Sequence, residues 1–457
     1  MFTYIRLKNF MSFGDITFDF RKNAKTAKNF IALYGENGSG KSNFVKSIDF
    51  LCDSIRSIFD FEKMQRSVSQ LQNKFAVDDG VVGNILSSLS EQWDFQEKMN
   101  GCRMIDCDAP AEAEYGFLIN GQEWSYLLRF TDRIVEEKLY GMQDKVRGVL
   151  YHISENADSE ITMSFWGRFF TSADVREEFE AEIRKYWGKH TFLSIFTNLQ
   201  RKLNVSYVRT GVTERIFQFA ATVNNRSVCQ TMAQRNEQRI CSGIRNFSIH
   251  LDSGRITADS LPHLERTERI LNTFFTQSYA DIKNVEYEIT KISESKYEYQ
   301  LYLEKMIAGK IRRINFTRES AGTQRVLDVF RIILDAFFGG TVVYDEIDNG
   351  IHDLLLKNII DCARPYITGQ LIITTHNTLL LESIDKHSAY LINVDYEGNK
   401  EAICFDEYKI QGTDNMRIKY LKGLFGGTPY ADGMDYDEII SELKEAGEDE
   451  ENDEVTD

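Results

Sequence analysis

The chain has 457 residues, 42% of them hydrophobic and 12% aromatic, which suffices for about three average domains or for one large domain carrying insertions. No apolar run approaches the roughly eighteen residues of a membrane span, and the opening MFTYIRLKNF alternates like a strand without the unbroken apolar region of a signal peptide, so a cytoplasmic protein with no membrane partner is expected. The net charge of −16 argues against nucleic acid only until its placement is read: Asp435 to Asp457 holds twelve acids against one lysine and accounts for −11 of it.

After the first alternating stretch comes Asn29 to Tyr34, NFIALY, a short apolar run expected to be a buried strand. It runs directly into Gly35-Glu36-Asn37-Gly38-Ser39-Gly40-Lys41-Ser42, and Phe44, Val45, Ile48 and Leu51 then recur at helical spacing. Strand, glycine-rich loop and helix are the context that a phosphate-binding loop requires. Gly35 and Gly40 permit backbone angles that other residues resist, so consecutive N–H groups can point at phosphates, helped by the positive end of the helix. Lys41 is expected to reach the β- and γ-phosphates of a nucleotide and the Ser42 hydroxyl to bind Mg²⁺.

Further along, EYGFLING and EWSYLLRF, hinged at Asn120-Gly121, read as a hairpin within a set of strands over 113 to 152. From about 170 to 280 the pattern is mainly helical, as in SADVREEFEAEIRKYW and LPHLERTERILNTFF, in stretches too short and broken for a long coiled-coil arm. Within it, Arg201 to Arg245 carries eight Arg or Lys against Glu214 and Glu237, next to Tyr207, Phe217 and Phe219. That segment is either solvated surface or a contact for nucleic acid or an acidic partner. VEYEITKI and YEYQLYLE, 285 to 303, read as two more strands.

Glu319 to Gly340, ESAGTQRVLDVFRIILDAFFGG, is a polar, glycine-bearing turn followed by an amphipathic helix with Val326, Val329, Phe330, Ile333 and Phe337 on one side and Ser320 as its N-cap. Such a cap can present a hydroxyl and free N–H groups to an anion. If that anion were the γ-phosphate of the same subunit, the turn would duplicate the loop at 35 to 42; two copies facing head to tail remove the redundancy.

Thr341 to Tyr344 is an apolar strand ending in Asp345-Glu346. In company with a phosphate loop, Asp345 is expected to orient Mg²⁺ or its water and Glu346 to act as general base on the attacking water, although such a pair also occurs at ordinary solvated strand ends. A third strand, Leu371 to Thr374, ends in Thr375-His376-Asn377, where His376 is either structural or a sensor of the γ-phosphate that holds the water. Gly35 and Asp345 lie 310 residues apart, so a large, partly folded segment is expected to emerge between two neighbouring strands of one sheet. No Asn-Lys-x-Asp guanine-reading motif occurs, which favours ATP over GTP. The seven cysteines, at 52, 102, 107, 229, 241, 362 and 404, form no CxxC pair and no zinc-ligand spacing, so free thiols are expected. The acidic tail offers chiefly Tyr436, Ile439, Ile440 and Leu443 for burial and is expected to be a short helix followed by disorder, either solubilising or docking on a basic face.

Taken together, GENGSGKSN, ESAGTQR, VVYDEIDNGIH and TTHNT resemble the ABC-type ATPase heads of the SMC and RecF kind, and more closely the prokaryotic AAA-labelled ATPases encoded beside nucleases or toxins in abortive-infection and other antiphage loci. LKNFMSFGDITFDF is similar to their first hairpin and MRIKYLKGLFGGTPY to their closing helix and turn. The resemblance implies an α/β fold: an ABC-type P-loop ATPase head, with a mixed sheet plus an antiparallel lobe and a mainly helical insertion. Residues 1–152 would form the N-terminal lobe, 153–283 the insertion, 284–434 the C-terminal lobe and 435–457 the tail. It implies ATP and Mg²⁺ as cofactors, with Gly35, Asn37, Gly38, Ser39, Gly40, Lys41, Ser42 and Asn43 around the phosphates and Ser42 and Asp345 at the metal. Glu346 would be the base, His376 the switch, and Ser320 and Gly322 the signature that closes on ATP held by the other protomer. The implied activity is ATP hydrolysis that closes and opens composite sites in a homodimer or higher homo-oligomer, senses a trigger such as DNA or a phage protein, and controls a separate nuclease or toxin effector in antiviral defence. The alternative is a RecF-like DNA-maintenance clamp without a toxin partner. Two positions stand apart: Met11 occupies the place of the arginine in the family's Asn-Phe-Arg-Ser-Phe, and His352 matches a histidine frequent after the acid strand, with a packing role equally open.

Overall fold

The structure is a computed structural model that describes residues 1–74, 94–143, 146–156, 158–167, 169–203, 210–224, 226–229, 250–408, 415–428 and 436–443. Its centre is a 6-stranded sheet in the order Arg226–Cys229, Thr341–Tyr344, Gln370–Thr374, Phe30–Tyr34, Ala389–Val394, Lys400–Cys404. All neighbours run parallel except the last pair. FIALY, TVVY and QLIIT read as unbroken apolar runs because both faces of this sheet are covered, and every residue of the three strands is buried. Ile31 and Leu33 join the core on one side, and Phe30, Ala32 and Tyr34 the core on the other.

The sheet order departs from the expectation that the loop strand and the acid strand are neighbours. The strand that feeds the phosphate loop and the strand that ends in Asp345 are not neighbours, because Gln370–Thr374 lies between them. In a parallel sheet the partner of a strand is chosen by where its crossover returns, not by sequence order, and the helix Asp353–Ala363 brings the chain back on the inner side of the acid strand. The strand carrying His376 at its end is therefore the middle one of the three.

On one face of the sheet lies the helix Lys41–Lys74, with Phe44, Val45, Ile48, Leu51 and Ile55 buried. At about 1.5–3 kcal/mol for each large apolar side chain removed from water, that stripe alone is a substantial share of what holds the layers together. Beyond the helix stands a 7-stranded antiparallel sheet in the order Ile161–Phe165, Val146–Glu155, Ile134–Gln143, Gln122–Phe130, Ala111–Ile119, Phe2–Phe10, Phe13–Asp19. The hairpin expected at Asn120-Gly121 is present. Both residues have left-handed backbones, φ 51° and 73°, the pairing that a two-residue turn between right-twisted strands needs.

Two buried polar groups fasten this lobe. Glu137, wholly buried, accepts from Tyr126 Oη at 2.9 Å, Tyr151 Oη at 2.8 Å, Leu193 N at 3.2 Å and also Phe192 N, so one carboxylate joins the sheet to the start of the helix Phe192–Leu203. Gln370, at the first position of its central strand, exchanges two bonds with the backbone of Phe2, accepting from Phe2 N at 2.7 Å and donating to Phe2 O at 3.0 Å, and also donates to Lys28 O at 2.9 Å.

The opposite face of the central sheet is covered by the helices Leu261–Ser278, Ala321–Phe337 and Asp353–Ala363. Ser253–Thr257, Ile282–Ser293, Lys296–Ile307 and Lys310–Asn315 form a 4-stranded sheet leading into the Ala321–Phe337 helix. Ala173–Tyr186, Phe192–Leu203 and Thr210–Asn224 are helical, in line with the periodicity from 170 onward. Within that stretch the strand Arg226–Cys229, which the sequence reading does not anticipate, pairs with Thr341–Tyr344 and so belongs to the central sheet. Most of the basic segment 201–245 and the acidic end 444–457 lie outside the described residues, whereas 436–443 is a helix exposed along its length. Among the described residues no helix is long and apolar enough to cross a membrane, and Cys52, Cys102, Cys107, Cys362 and Cys404 are free thiols.

A candidate ATP site

The phosphate loop keeps its shape through contacts that exclude side chains. Gly35 has φ 154°, and a Cβ there would lie 2.5 Å from Ser39 Oγ; Gly40 has φ 108°, and a Cβ would lie 2.7 Å from the Phe13 ring. The hairpin turn at 9–13 thus packs on the loop, with Asn43 Nδ2 donating to Ser12 Oγ at 2.7 Å and Met11 itself in a left-handed conformation at φ 49°. Ser39 Oγ is buried with no hydrogen-bond partner, an orphan polar atom inside the cradle. Asn37 and Gly38 form the exposed tip, and Ser42 and Asn43 are half-buried in the first helical turn.

Lys41, nearly buried, curls back over its own loop, donating to Gly35 O at 2.8 Å and Glu36 O at 3.0 Å. Burial lowers its pKa, and the carboxylates of Asp345, Glu346, Asp348 and Glu36 work in the opposite direction. Four acids therefore face one ammonium group, an arrangement that calls for a cation when a phosphate chain occupies the loop.

The acid end of the site is knit by Thr374. Its Oγ1 donates to Asp345 Oδ1 at 2.6 Å and accepts from Glu346 N at 2.7 Å, while Thr374 O accepts from Ile347 N at 3.1 Å. Glu346 has φ 49°, unusual for a residue with a side chain and costing about 1–2 kcal/mol, and the Thr374 bond to its N–H holds it there. His376 N donates to Asp348 Oδ2 at 3.1 Å. Burial pushes the His376 pKa below the usual histidine value, and Lys41 adds to this against Asp348, Glu346 and Asp345, so the ring is neutral at physiological pH. Asp345, Glu346 and His376 are thus brought together with Lys41, as the sequence reading expects. Thr374 and Asp348 are the members it misses: Asp348 is the third acid of DEIDNG, and Thr374 opens TTHNT, but neither carries a local signal for the bonds it makes here.

The turn at 319–323 sits elsewhere. Ser320 is exposed and caps the helix Ala321–Phe337, accepting from Thr323 N at 3.2 Å. Gly322 abuts the loop after the acid strand, where a Cβ would meet Gly350 O at 2.8 Å. From the same helix the wholly buried Arg325 lays its guanidinium over the Tyr344 ring at 4.9 Å, fixing the helix to the acid strand. Among the described residues no hydrogen bond joins this turn to the loop at 35–42. His352 has a capping role: its Nδ1 accepts from Leu354 N at 3.2 Å at the start of Asp353–Ala363.

Residues 30–382, which enclose the loop, the turn, the acid strand and the strand Gln370–Thr374, match the family described as "AAA domain, putative AbiEii toxin, Type IV TA system". The chain belongs to this family of AAA ATPase domains. Its enzymatic class is accordingly that of a P-loop ATPase, and ATP dependence follows from the family. Solved structures that the chain matches include SMC heads. A SMC head bound to the C-terminal winged-helix domain of ScpA is 14% identical with a TM-score of 0.43, covering 88% of this chain and 97% of that one. The SMC head domain from Thermotoga maritima is 14% identical with a TM-score of 0.36, covering 88% and 98%. The Pyrococcus furiosus SMC head domain with an extended coiled coil, bound to the C-terminal domain of ScpA, is 13% identical with a TM-score of 0.41, covering 93% and 99%. No curated protein matches the chain.

Proposed function

We propose that this AAA ATPase is a switch in which two copies close head to tail, each phosphate loop meeting the Ser320 turn of the partner copy. The observation that carries this reading is the exposed Ser320 cap, which among the described residues makes no bond to the loop of its own chain, while the acid cluster is already assembled around Lys41. Mg²⁺-ATP supplies the phosphoanhydride to be cleaved and the charge that the four carboxylates require. The loop at 35–42, with the orphan Ser39 hydroxyl, fits the phosphate chain; Lys41 and Asn43 line it; Ser42 and Asp345 are the residues to hold the metal. Glu346 takes the proton of a water, and the neutral His376 ring orients that water.

The output of closure is control of a separate nuclease or toxin in antiviral defence; of these terms the family's description names the toxin. The same closure can instead drive a DNA clamp of the RecF kind that works without a toxin partner. ATP-stimulated DNA binding by the isolated chain is the signature of the clamp; a nuclease or toxin that co-purifies, with activity changed by ATP, is that of the effector switch.

Mixing two inactive variants tests the shared closure. Lys41→Ala and Ser320→Arg are each expected to lose ATPase activity, and a mixture with demonstrated subunit exchange regains part of it because one of the two composite sites is then intact. No recovery in such a mixture would mean that each site is self-contained.

A further inference from the structure

Lys400, the first residue of the edge strand Lys400–Cys404, lies 362 residues from the phosphate loop in sequence and touches it in space. Its Nζ donates to Gly38 O at 2.9 Å and to Ser12 Oγ at 2.8 Å, the same hydroxyl that accepts from Asn43 at 2.7 Å. The side chain passes the Phe13 ring, with Nζ 5.7 Å from its centroid, and Phe13 is the ring against which Gly40 is packed. Three separated segments, 9–13, 38–43 and Lys400, thereby close one rim of the loop.

Both acceptors of this ammonium group are neutral, and among the described residues it makes no ion pair. The group is half-buried, and burial lowers its pKa with no carboxylate acting on it. Lys41 stands in the opposite situation, with four carboxylates acting on it. An ammonium group kept partly out of water without a counter-ion is costly, and the cost is relieved by an anion at the site. The loop below it is the place on this molecule built for one.

We propose that Lys400 is a second phosphate-binding cation of the nucleotide site, contacting the phosphate chain from the rim opposite the acids and leaving Gly38 O to do so. This rests on the reading of residues 35–42 as the ATP site. The ligand class is a nucleoside di- or triphosphate, and the contribution is to affinity more than to the chemical step, since Lys400 stands apart from Glu346 and His376.

The test measures binding of Mg-ATP, Mg-ADP and adenosine to the full chain by calorimetry, together with kcat. Lys400→Met, which keeps the stem on Phe13, is expected to weaken ATP and ADP by about 10- to 100-fold, the worth of a charged hydrogen bond, with a smaller change in kcat and none for adenosine. Lys400→Arg restores most of the affinity, and the gap between wild type and Lys400→Met narrows as salt rises. Unchanged ATP affinity in Lys400→Met, or a loss that is equal for adenosine or indifferent to salt, overturns the proposal and leaves Lys400 as a stitch across the loop. Lys41→Ala is run alongside: if it binds ATP as tightly as wild type, the nucleotide site itself has been misplaced, a failure distinct from that of Lys400 alone.

Discussion

Replacing Glu346 by Gln isolates proton acceptance from everything else the residue does. The left-handed backbone at φ 49° and the 2.7 Å bond from its N–H to Thr374 Oγ1 are properties of the main chain and survive the change. So do Asp345 and its 2.6 Å bond from Thr374, because Gln has nearly the shape of Glu. What remains is the loss of a base, for which about 10²- to 10⁴-fold in kcat is the usual range, or about 3–5 kcal/mol of barrier. Single-turnover hydrolysis with saturating Mg-ATP measures it, and filter binding of the same sample confirms that ATP is still held. The trapped ATP should also make the closed, two-copy form accumulate in size-exclusion chromatography. Turnover within about threefold of wild type would remove Glu346 from its role, since no other change has been made to the acid cluster.

Thr374→Val deletes the hydroxyl that serves both acids at nearly constant volume; ATPase should fall at least about tenfold and stability by about 1–3 kcal/mol, read by steady-state assay and urea melts. For His376, whose pKa is lowered, activity should hold as pH drops to about 6.5 and decline only below it, as the ring becomes protonated; a wild-type decline centred above that value and missing in His376→Asn would contradict the neutral ring. Glu137 is raised by burial to about 7, against the opposing donors Phe192, Tyr151, Tyr126 and Leu193, so the folded state holds its proton more tightly than the unfolded one. The stability this confers is present below about pH 4.5 and is lost as pH rises toward 7; relative to Glu137→Gln, the wild type should lose on the order of 3 kcal/mol across that window in urea unfolding, and a constant difference would refute it.

What was legible in the sequence was local. The loop at 35–42, the helix after it and the Ser320 cap are each decided by residues within a few positions of one another, because glycine angles, helix periodicity and capping are short-range physics. The placing of Asp345, Glu346 and His376 was legible for the same reason, as polar residues at the ends of apolar runs. Strand order was not, since an unbroken apolar strand buried on both faces accepts a neighbour on either edge, and TVVY and QLIIT look alike in this respect. Thr374 and Lys400 were invisible because their partners are far away in the chain. A threonine closing a strand and a lysine opening one are common, and only the fold shows what each is bonded to.

The corrected strand order changes how the two lobes can communicate. Gln370 and Thr374 are the two ends of one five-residue strand, wholly buried and flanked by the loop strand on one edge and the acid strand on the other. At its beginning, Gln370 holds the backbone of Phe2, the first residue of the antiparallel lobe, by two bonds; at its end, Thr374 holds Asp345 and the N–H of Glu346. A buried strand paired on both edges does not stretch, so a shift of the lobe at Phe2 cannot be absorbed within it and must appear either as broken Gln370 bonds or as displacement at the acids. With Gln370–Thr374 between the loop strand and the acid strand, one continuous run of main chain and hydrogen bonds leads from Phe2 through Gln370 and Thr374 to Asp345 and the N–H of Glu346, without passing through residues 35–42.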